Sequence, residues 1–214
     1  MKKLFTLVLL ICIAPGFAQT KLYVHPDADS YVARTKSLAI LPLDVQVKLR
    51  PKELKDFTPE QIVDMNHNEA KDIQKAMYSW FLTRKKRGSL KIENIQNPTV
   101  TNSILKKNNI DIFDYSEYTP EELGKILNVD VVVQGSFETS KPMSGAAGAA
   151  LLLVGGFAGA TSNATMNMDF FDTRDNELVV NYFKNIKGGL GTTSDDLINI
   201  LMRKASRRIP YTGM

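Results

Sequence analysis

Apolar positions along the chain fall into two kinds of stretch: short runs without helical spacing, and longer ones in which they return every three or four residues. The run from Ser37 to Val45 (SLAILPLDV) predicts a buried strand, with Pro42 marking a bend or a sheet edge. Thr58-Pro59-Glu60-Gln61 then has the order of a capping box with proline at the first helical position. The helix it opens carries Ile62, Met65, Ile73, Ala76, Met77 and Trp80 on one face, and Gly88 ends it. Asn66, Asn68 and Glu69 interrupt that stripe, so two shorter helices, the second capped by Asn68, are the alternative.

Leu90 to Ile95 predicts a second strand, and Thr99 to Lys107 a short helix facing inward through Val100, Ile104 and Leu105. Residues 108 to 118 show no clear period. A second capping box, Thr119-Pro120-Glu121-Glu122, leads into Leu123, Ile126 and Leu127, and Asn128 is suited to close that helix in a left-handed conformation. Asp130 to Thr139 (DVVVQGSFET) is the strongest strand signal, with Gly135 allowing a bulge or a close backbone approach. Ala164 to Asp172 and Glu177 to Ile186 read as an antiparallel pair joined by the polar turn Thr173-Arg174-Asp175-Asn176. A last helix, from Thr193 or Ser194 to about Arg208, buries Leu197, Ile198, Leu201 and Ala205, with Pro210 just beyond. The order β-α-β-α-α-β-β-β-α predicts an α/β (α+β) fold, a mixed sheet with packed helices and an apolar Gly/Ala-rich insertion between the third and fourth strands.

Residues 1–18 stand apart from this pattern. Lys2 and Lys3 precede the apolar run Leu4 to Ala14, and Gly16-Phe17-Ala18 supplies small residues at cleavage spacing, so the segment reads as a signal peptide with the mature chain starting at Gln19. The run is shorter than the ~20 apolar residues of a membrane span. Cys12, the one cysteine, lies inside it, so the exported chain would hold no disulfide. Lipid attachment at Cys12 is the minor alternative, because bulky Ile11 stands where small residues precede an acylated cysteine. Residues 19–36, with Pro26, Asp27 and Asp29, read as an extended lead into one domain spanning 37–210 with an insertion at 142–163.

Composition adds a compartment and removes classes. With 214 residues, 43% hydrophobic and 23% charged, the chain is an ordinary globular protein, which excludes collagen, long coiled coils and multi-span transporters. Its formal charge of +4 falls by two when Lys2 and Lys3 leave with the leader, so no nucleic-acid partner is expected.

The most informative stretch is Pro142 to Met168, which carries no charge until Asp169 and centres on SGAAGAALLLVGGFAGATSN at 144–163. Leu151, Leu152, Leu153, Val154 and Phe157 are candidate contact residues, with Gly148, Gly155, Gly156 and Gly159 permitting close approach to a membrane or a second copy. The bland alternative is a small-residue cover folded back over the protein's own sheet. Two basic clusters, Arg84-Lys85-Lys86-Arg87 and Arg203-Lys204 with Arg207-Arg208, fall at helix ends, where cations complement the dipole; an anionic partner at Arg84, Lys85, Lys86 and Arg87 is the functional alternative.

Other motifs point away from catalysis. The glycine loop 187–193 lacks a Gly-Lys-Ser/Thr ending, and Asp195 and Asp196 would repel a phosphate there, so no cofactor is expected. Asp172, Asp175, Asn176 and Glu177 miss the spacing of a calcium loop and read as a solvated turn. His25 and His67 have no paired-ligand spacing, so no metal is expected, and no serine sits in a nucleophile elbow.

Four pieces in order, LAILPLDV at 38–45, LGKILNVDVVVQGSF at 123–137, MDFFDTRDNELVV at 168–180 and DDLINILMRKASRRIP at 195–210, resemble the envelope proteins built on the amino-terminal domain of TolB and on the curli secretion-channel subunit, CsgG. That resemblance implies a non-enzymatic periplasmic or outer-membrane-associated module that binds partners or forms rings and pores. In the curli-channel family a glycine-rich membrane hairpin occupies the place of the 144–163 segment. The expectation is an exported envelope module, a homo-oligomer or the partner of an envelope protein, with possible membrane contact; the alternative is a soluble periplasmic adaptor for another envelope protein or a glycan.

Overall fold

The computed structural model describes residues 20–140, 163–187 and 194–213. The leader 1–18, residues 141–162 with every contact residue named above for the insertion, and the glycine loop 188–193 lie outside the described residues.

The fold is the mixed α/β arrangement the pattern predicts. In chain order the elements are β1 (Thr20–Val24), α1 (Ala28–Arg34), β2 (Ser37–Ile40), β3 (Asp44–Val47), α2 (Pro51–Leu54), α3 (Pro59–Lys86), β4 (Asn94–Ile95), α4 (Pro98–Lys107), α5 (Pro120–Leu127), β5 (Val131–Thr139), β6 (Asn163–Asp172), β7 (Leu178–Lys187) and α6 (Ser194–Ala205). The seven-stranded sheet runs β1-β7-β6-β5-β2-β4, with β3 continuing beside β5. Pairs from β1 to β5 are antiparallel, and β2, β3 and β4 join in parallel.

Pro42 acts as a break within one strand path. Ile40 pairs with Val133 and Asp44 with Ser136, so residues 41–43 on one side face only 134–135 on the other, a bulge at the residue that lacks an N–H. Gly135 stands at this break with φ +146°, and a Cβ there would lie 2.0 Å from the Asn167 carbonyl oxygen. The close backbone approach expected of that glycine is therefore real.

The caps fall where the spacing put them. Thr58 and Thr119 accept from the N–H of Gln61 and Glu122, and Asn128 closes α5 at φ 55°. α3 is one continuous 28-residue helix rather than two. Its polar interruptions are used: Asn66 Oδ1 accepts from the Val47 N–H at 3.0 Å, and buried Gln74 donates to the Ile40 carbonyl at 2.7 Å. A helix stripe crossing the broken strand thus supplies hydrogen bonds where the sheet lacks them.

Three expectations change. Residues 20–36 are not only an extended lead: 20–24 pair along β7, and α1 buries Ala28 and Val32 in the core. The strand expected at 90–95 shrinks to Asn94–Ile95, with Leu90 bridging Thr212 instead. Val100 faces solvent, and Thr101 takes the buried position because its hydroxyl donates to Gln96 Oε1 at 2.8 Å. A buried hydroxyl is tolerated where it has a hydrogen-bond partner.

One face of the sheet holds the main core. Val133, Phe137, Met168, Phe170 and Tyr182 meet Ile73, Met77 and Phe81 from α3 and Leu197, Leu201 and Ala205 from α6. Each fully buried aliphatic or aromatic side chain contributes roughly 1.5–3 kcal/mol. The other face carries a smaller cluster, in which Leu105, Leu123 and Leu127 cover Ala39, Leu41 and Val132.

Candidate functional site

The basic run at the end of α3 is built by that helix and by its contact with α6. Arg84 stacks over the Trp80 ring at 4.8 Å and donates to Ser206 Oγ at 2.8 Å, and Ser206 in turn donates to the Arg203 carbonyl. Lys85 reaches back to the Glu93 carbonyl beside β4, and Gly88, at φ +68°, ends the helix. The bond to Ser206 draws the two basic clusters of the sequence into one ridge. Partial burial, followed by the neighbouring guanidinium groups of Arg87 and Arg207, holds Arg84 below its usual range. Burial likewise lowers Lys184, with Lys204 and Arg208 adding to the effect. Among the described residues none of Arg84, Arg87, Lys204, Arg207 and Arg208 forms an ion pair with a carboxylate. Like charges crowded without acidic partners favour an anionic contact.

The second candidate region leaves the fold elsewhere. Thr139 pairs with Ala164, the Ser140 N–H donates to the Asn163 carbonyl, and the Asn163 N–H donates to Ser140 Oγ at 3.0 Å. Residues 141–162 therefore connect the two strands of an antiparallel hairpin, at the end where β5 finishes. The basic ridge sits by Glu93 and β4, which pairs with the first residues of β2. β2 and β5 run parallel, so Arg84, Lys85, Lys86 and Arg87 are at the opposite end of the sheet from the exit of the 144–163 segment.

The motifs did not point to the second face of the sheet. Beyond α4 and α5 it is polar: Asn181 Nδ2 donates to Asn167 Oδ1 at 2.8 Å, Asn167 Nδ2 to Asp169 Oδ2 at 2.8 Å, and Asn185 Nδ2 to Thr165 Oγ1 at 2.7 Å. Burial raises the Asp169 carboxyl, against the pull of the Asn181 and Asn167 amides. The signal was present in Thr165-Met166-Asn167-Met168-Asp169-Phe170, whose alternation puts every polar residue on one face.

At the start of β2 and β5 opens a cleft of about 760 Å³, whose lining includes Lys36, Asn94, Gln96, Lys125, Asn128 and Arg174. Two of its carboxylates, Asp130 and Glu121, are engaged in the fold. Asp130 accepts from the Lys36 and Ser37 N–H groups at 2.8 and 3.0 Å and from Arg174 at 2.7 Å, while Glu121 pairs with Lys125 at 2.6 Å. Partial burial works to raise Asp130, but Arg174 and the two amides hold it below the usual carboxylate range. The β6–β7 turn is a latch rather than a solvated loop: Arg34 pairs with Asp172 at 3.1 Å and Asp175 at 2.7 Å. His67 stacks on Phe113 at 3.7 Å, and His25 Nδ1 accepts from the Asp27 N–H. Among the described residues no cluster of His, Cys, Asp and Glu could hold a metal, and no helix is long and apolar enough to cross a membrane.

No protein-family model and no curated protein matches the chain. Similar solved structures include the PelC dodecamer from Paraburkholderia phytofirmans, 10% identical, which covers 92% of this chain and 99% of its own with a TM-score of 0.47. Lipoprotein GNA1162 from Neisseria meningitidis is 13% identical over 81% of this chain and 97% of its own, at a TM-score of 0.48. The hypothetical protein CT253 from Chlamydia trachomatis is 15% identical over 82% and 97%, at 0.37. Likeness at these scores carries no assignment of role, and the resemblance to the TolB amino-terminal domain and the curli channel subunit enters below as a proposal.

Proposed function

We propose that the chain is an exported, non-enzymatic cell-envelope module of the kind its resemblance to the TolB amino-terminal domain and the curli channel subunit implies. In this reading it associates with the outer membrane or with further copies of itself through Leu151, Leu152, Leu153, Val154 and Phe157, with Gly148, Gly155, Gly156 and Gly159 allowing close contact. One observation carries it. Among the described residues the main apolar face is filled by α3 and α6, and the opposite face, beyond the cluster under α4 and α5, carries a polar ladder of Asn167, Asp169, Asn181 and Asn185 beside half-buried Phe183. An apolar segment folded back on that ladder would strip its amides and carboxylate of water, at a cost of roughly 1–3 kcal/mol for each group left unpaired. Much of the sheet face beyond α4 and α5 is thus polar among the described residues, which supports an outside partner over the self-covering alternative.

Deletion of residues 145–160 tests the reading. Loss of membrane association or a fall in particle mass is expected, with the thermal unfolding of the domain kept; if fractionation and mass both stay the same, the reading fails. A second reading, a soluble adaptor that binds an anionic face of another envelope component, is supported by the convergence of Arg84, Arg87 and Arg207 at the far end of the sheet.

A further inference from the structure

The two edges of the sheet are treated differently. On one side β4 is only two residues long, which leaves little backbone to template a further strand. On the other side β1 ends the sheet with five residues and no strand beyond it among the described residues. The His25 N–H donates to the Val179 carbonyl, and Val24 pairs with Val180. Alternation then turns the N–H and C=O groups of Tyr23 and Lys21 toward β7 and those of Thr20, Leu22 and Val24 outward. The same strand carries Leu22, Tyr23 and Val24 at 39%, 45% and 37% exposure, the one consecutive trio among the exposed large hydrophobics of the described residues; Leu54, Val63, Leu82 and Val100 stand singly. Apart from Lys21 the strand has none of the charges, prolines or bulges that guard an edge.

We infer that β1 pairs antiparallel with β1 of a second copy, about a twofold axis through Leu22, joining two sheets edge to edge. The chemistry of the strand selects this register. Outward-pointing residues must oppose outward-pointing residues, so the pairing can be centred on Leu22 or shifted by one residue at the axis to either side. The shift toward the N-terminus sets Lys21 against Lys21, a direct like-charge opposition. The shift toward the C-terminus sets Lys21 against His25 and Thr20 against Pro26, which has no N–H to give. Centring on Leu22 places Leu22 against Leu22, Thr20 against Val24 and Lys21 against Tyr23. Both outward pairs are then hydrogen-bonded, and each ammonium lies beside an aromatic ring, as Lys21 already lies 5.9 Å from the Phe183 ring within its own chain. The pairing rests on β1 alone and draws on no residue of 144–163.

Cysteine scanning of the full chain carrying Cys12→Ser tests the register. Residues opposed at a hydrogen-bonded antiparallel pair have Cα atoms ~5.5 Å apart, inside the disulfide range, whereas Val24 and its own symmetry mate would be separated by roughly 13 Å. Under mild oxidation Leu22→Cys is expected to give a covalent dimer and Val24→Cys alone to stay monomeric. A mixture of Thr20→Cys and Val24→Cys chains is expected to give the linked heterodimer. A monomeric Leu22→Cys protein, or equal linkage of Val24→Cys and Leu22→Cys, would overturn the inference. Repeating the scan in the 145–160 deletion separates it from the functional proposal: persistence of the Leu22→Cys dimer supports an edge contact whatever the segment does, and its loss overturns an independent edge contact.

Discussion

Buried hydroxyls mark where individual residues limit this fold. Tyr182 is fully enclosed, and its phenolic oxygen finds no hydrogen-bond partner among the described residues. Burial pushes the Tyr182 phenol up to about 12, slightly offset by Arg208. A phenol with a higher pKa folded than unfolded keeps its proton more tightly in the native state, so stability is complete below about pH 10 and is lost as pH rises toward 12. Tyr182→Phe is therefore expected to raise stability at neutral pH by about 1 kcal/mol and to flatten the alkaline loss; urea unfolding at stepped pH measures both. Single residues were legible in the sequence where geometry is local, as at Gly135 and Asn128. Val100 was misplaced because helical period alone does not reveal that Thr101 would find Gln96 for its hydroxyl.

Among the elements, one carboxylate holds several together. Asp130, just before β5, ties the entry of β2 through Lys36 and Ser37 and the β6–β7 turn through Arg174. With the Ser37 hydroxyl it has four donors, and a charged acceptor so surrounded stabilises by more than a neutral one. Asp130→Asn is expected to cost about 2 kcal/mol in thermal unfolding at pH 7. Because the folded pKa lies below 3.8, the native protein holds this stability above that pH and loses it as pH falls further, so the difference between the two proteins should shrink at about pH 3. The long elements, α3, α5, β5 and the β6–β7 hairpin, were legible because caps and periods are written within a few residues of each other. β1 and α1 were not, since five and seven residues have too few apolar positions to show a period. Their structure comes from β7, which lies some 160 residues away in the chain.

For the whole molecule, the basic run 84–87 lies at the end of the sheet opposite the strand ends from which residues 141–162 depart. Arg87 and Arg207, brought together by the α3–α6 contact, form the ridge that suits an anionic partner. Reversing both to glutamate is expected to weaken sedimentation with phosphatidylglycerol-containing vesicles by about tenfold or more, while the same change at exposed Lys52 leaves it unaltered. Unchanged vesicle binding in the double variant would reduce the ridge to dipole compensation at two helix ends.

Sequence alone determined the strands and helices with strong periods, their caps, the antiparallel hairpin, the mixed α/β class and the unusual charge-free stretch, since each is encoded by neighbours a few positions apart. Tertiary structure decided that β1 joins the sheet, that two basic runs 122 residues apart meet through Arg84 and Ser206, and that the first of them lies away from the strand end where residues 141–162 depart. It also decided which sheet face is filled and which stays polar. Such outcomes depend on packing between distant segments, where arrangements that pair most buried polar groups and cover most apolar surface win, and no local spacing records that competition.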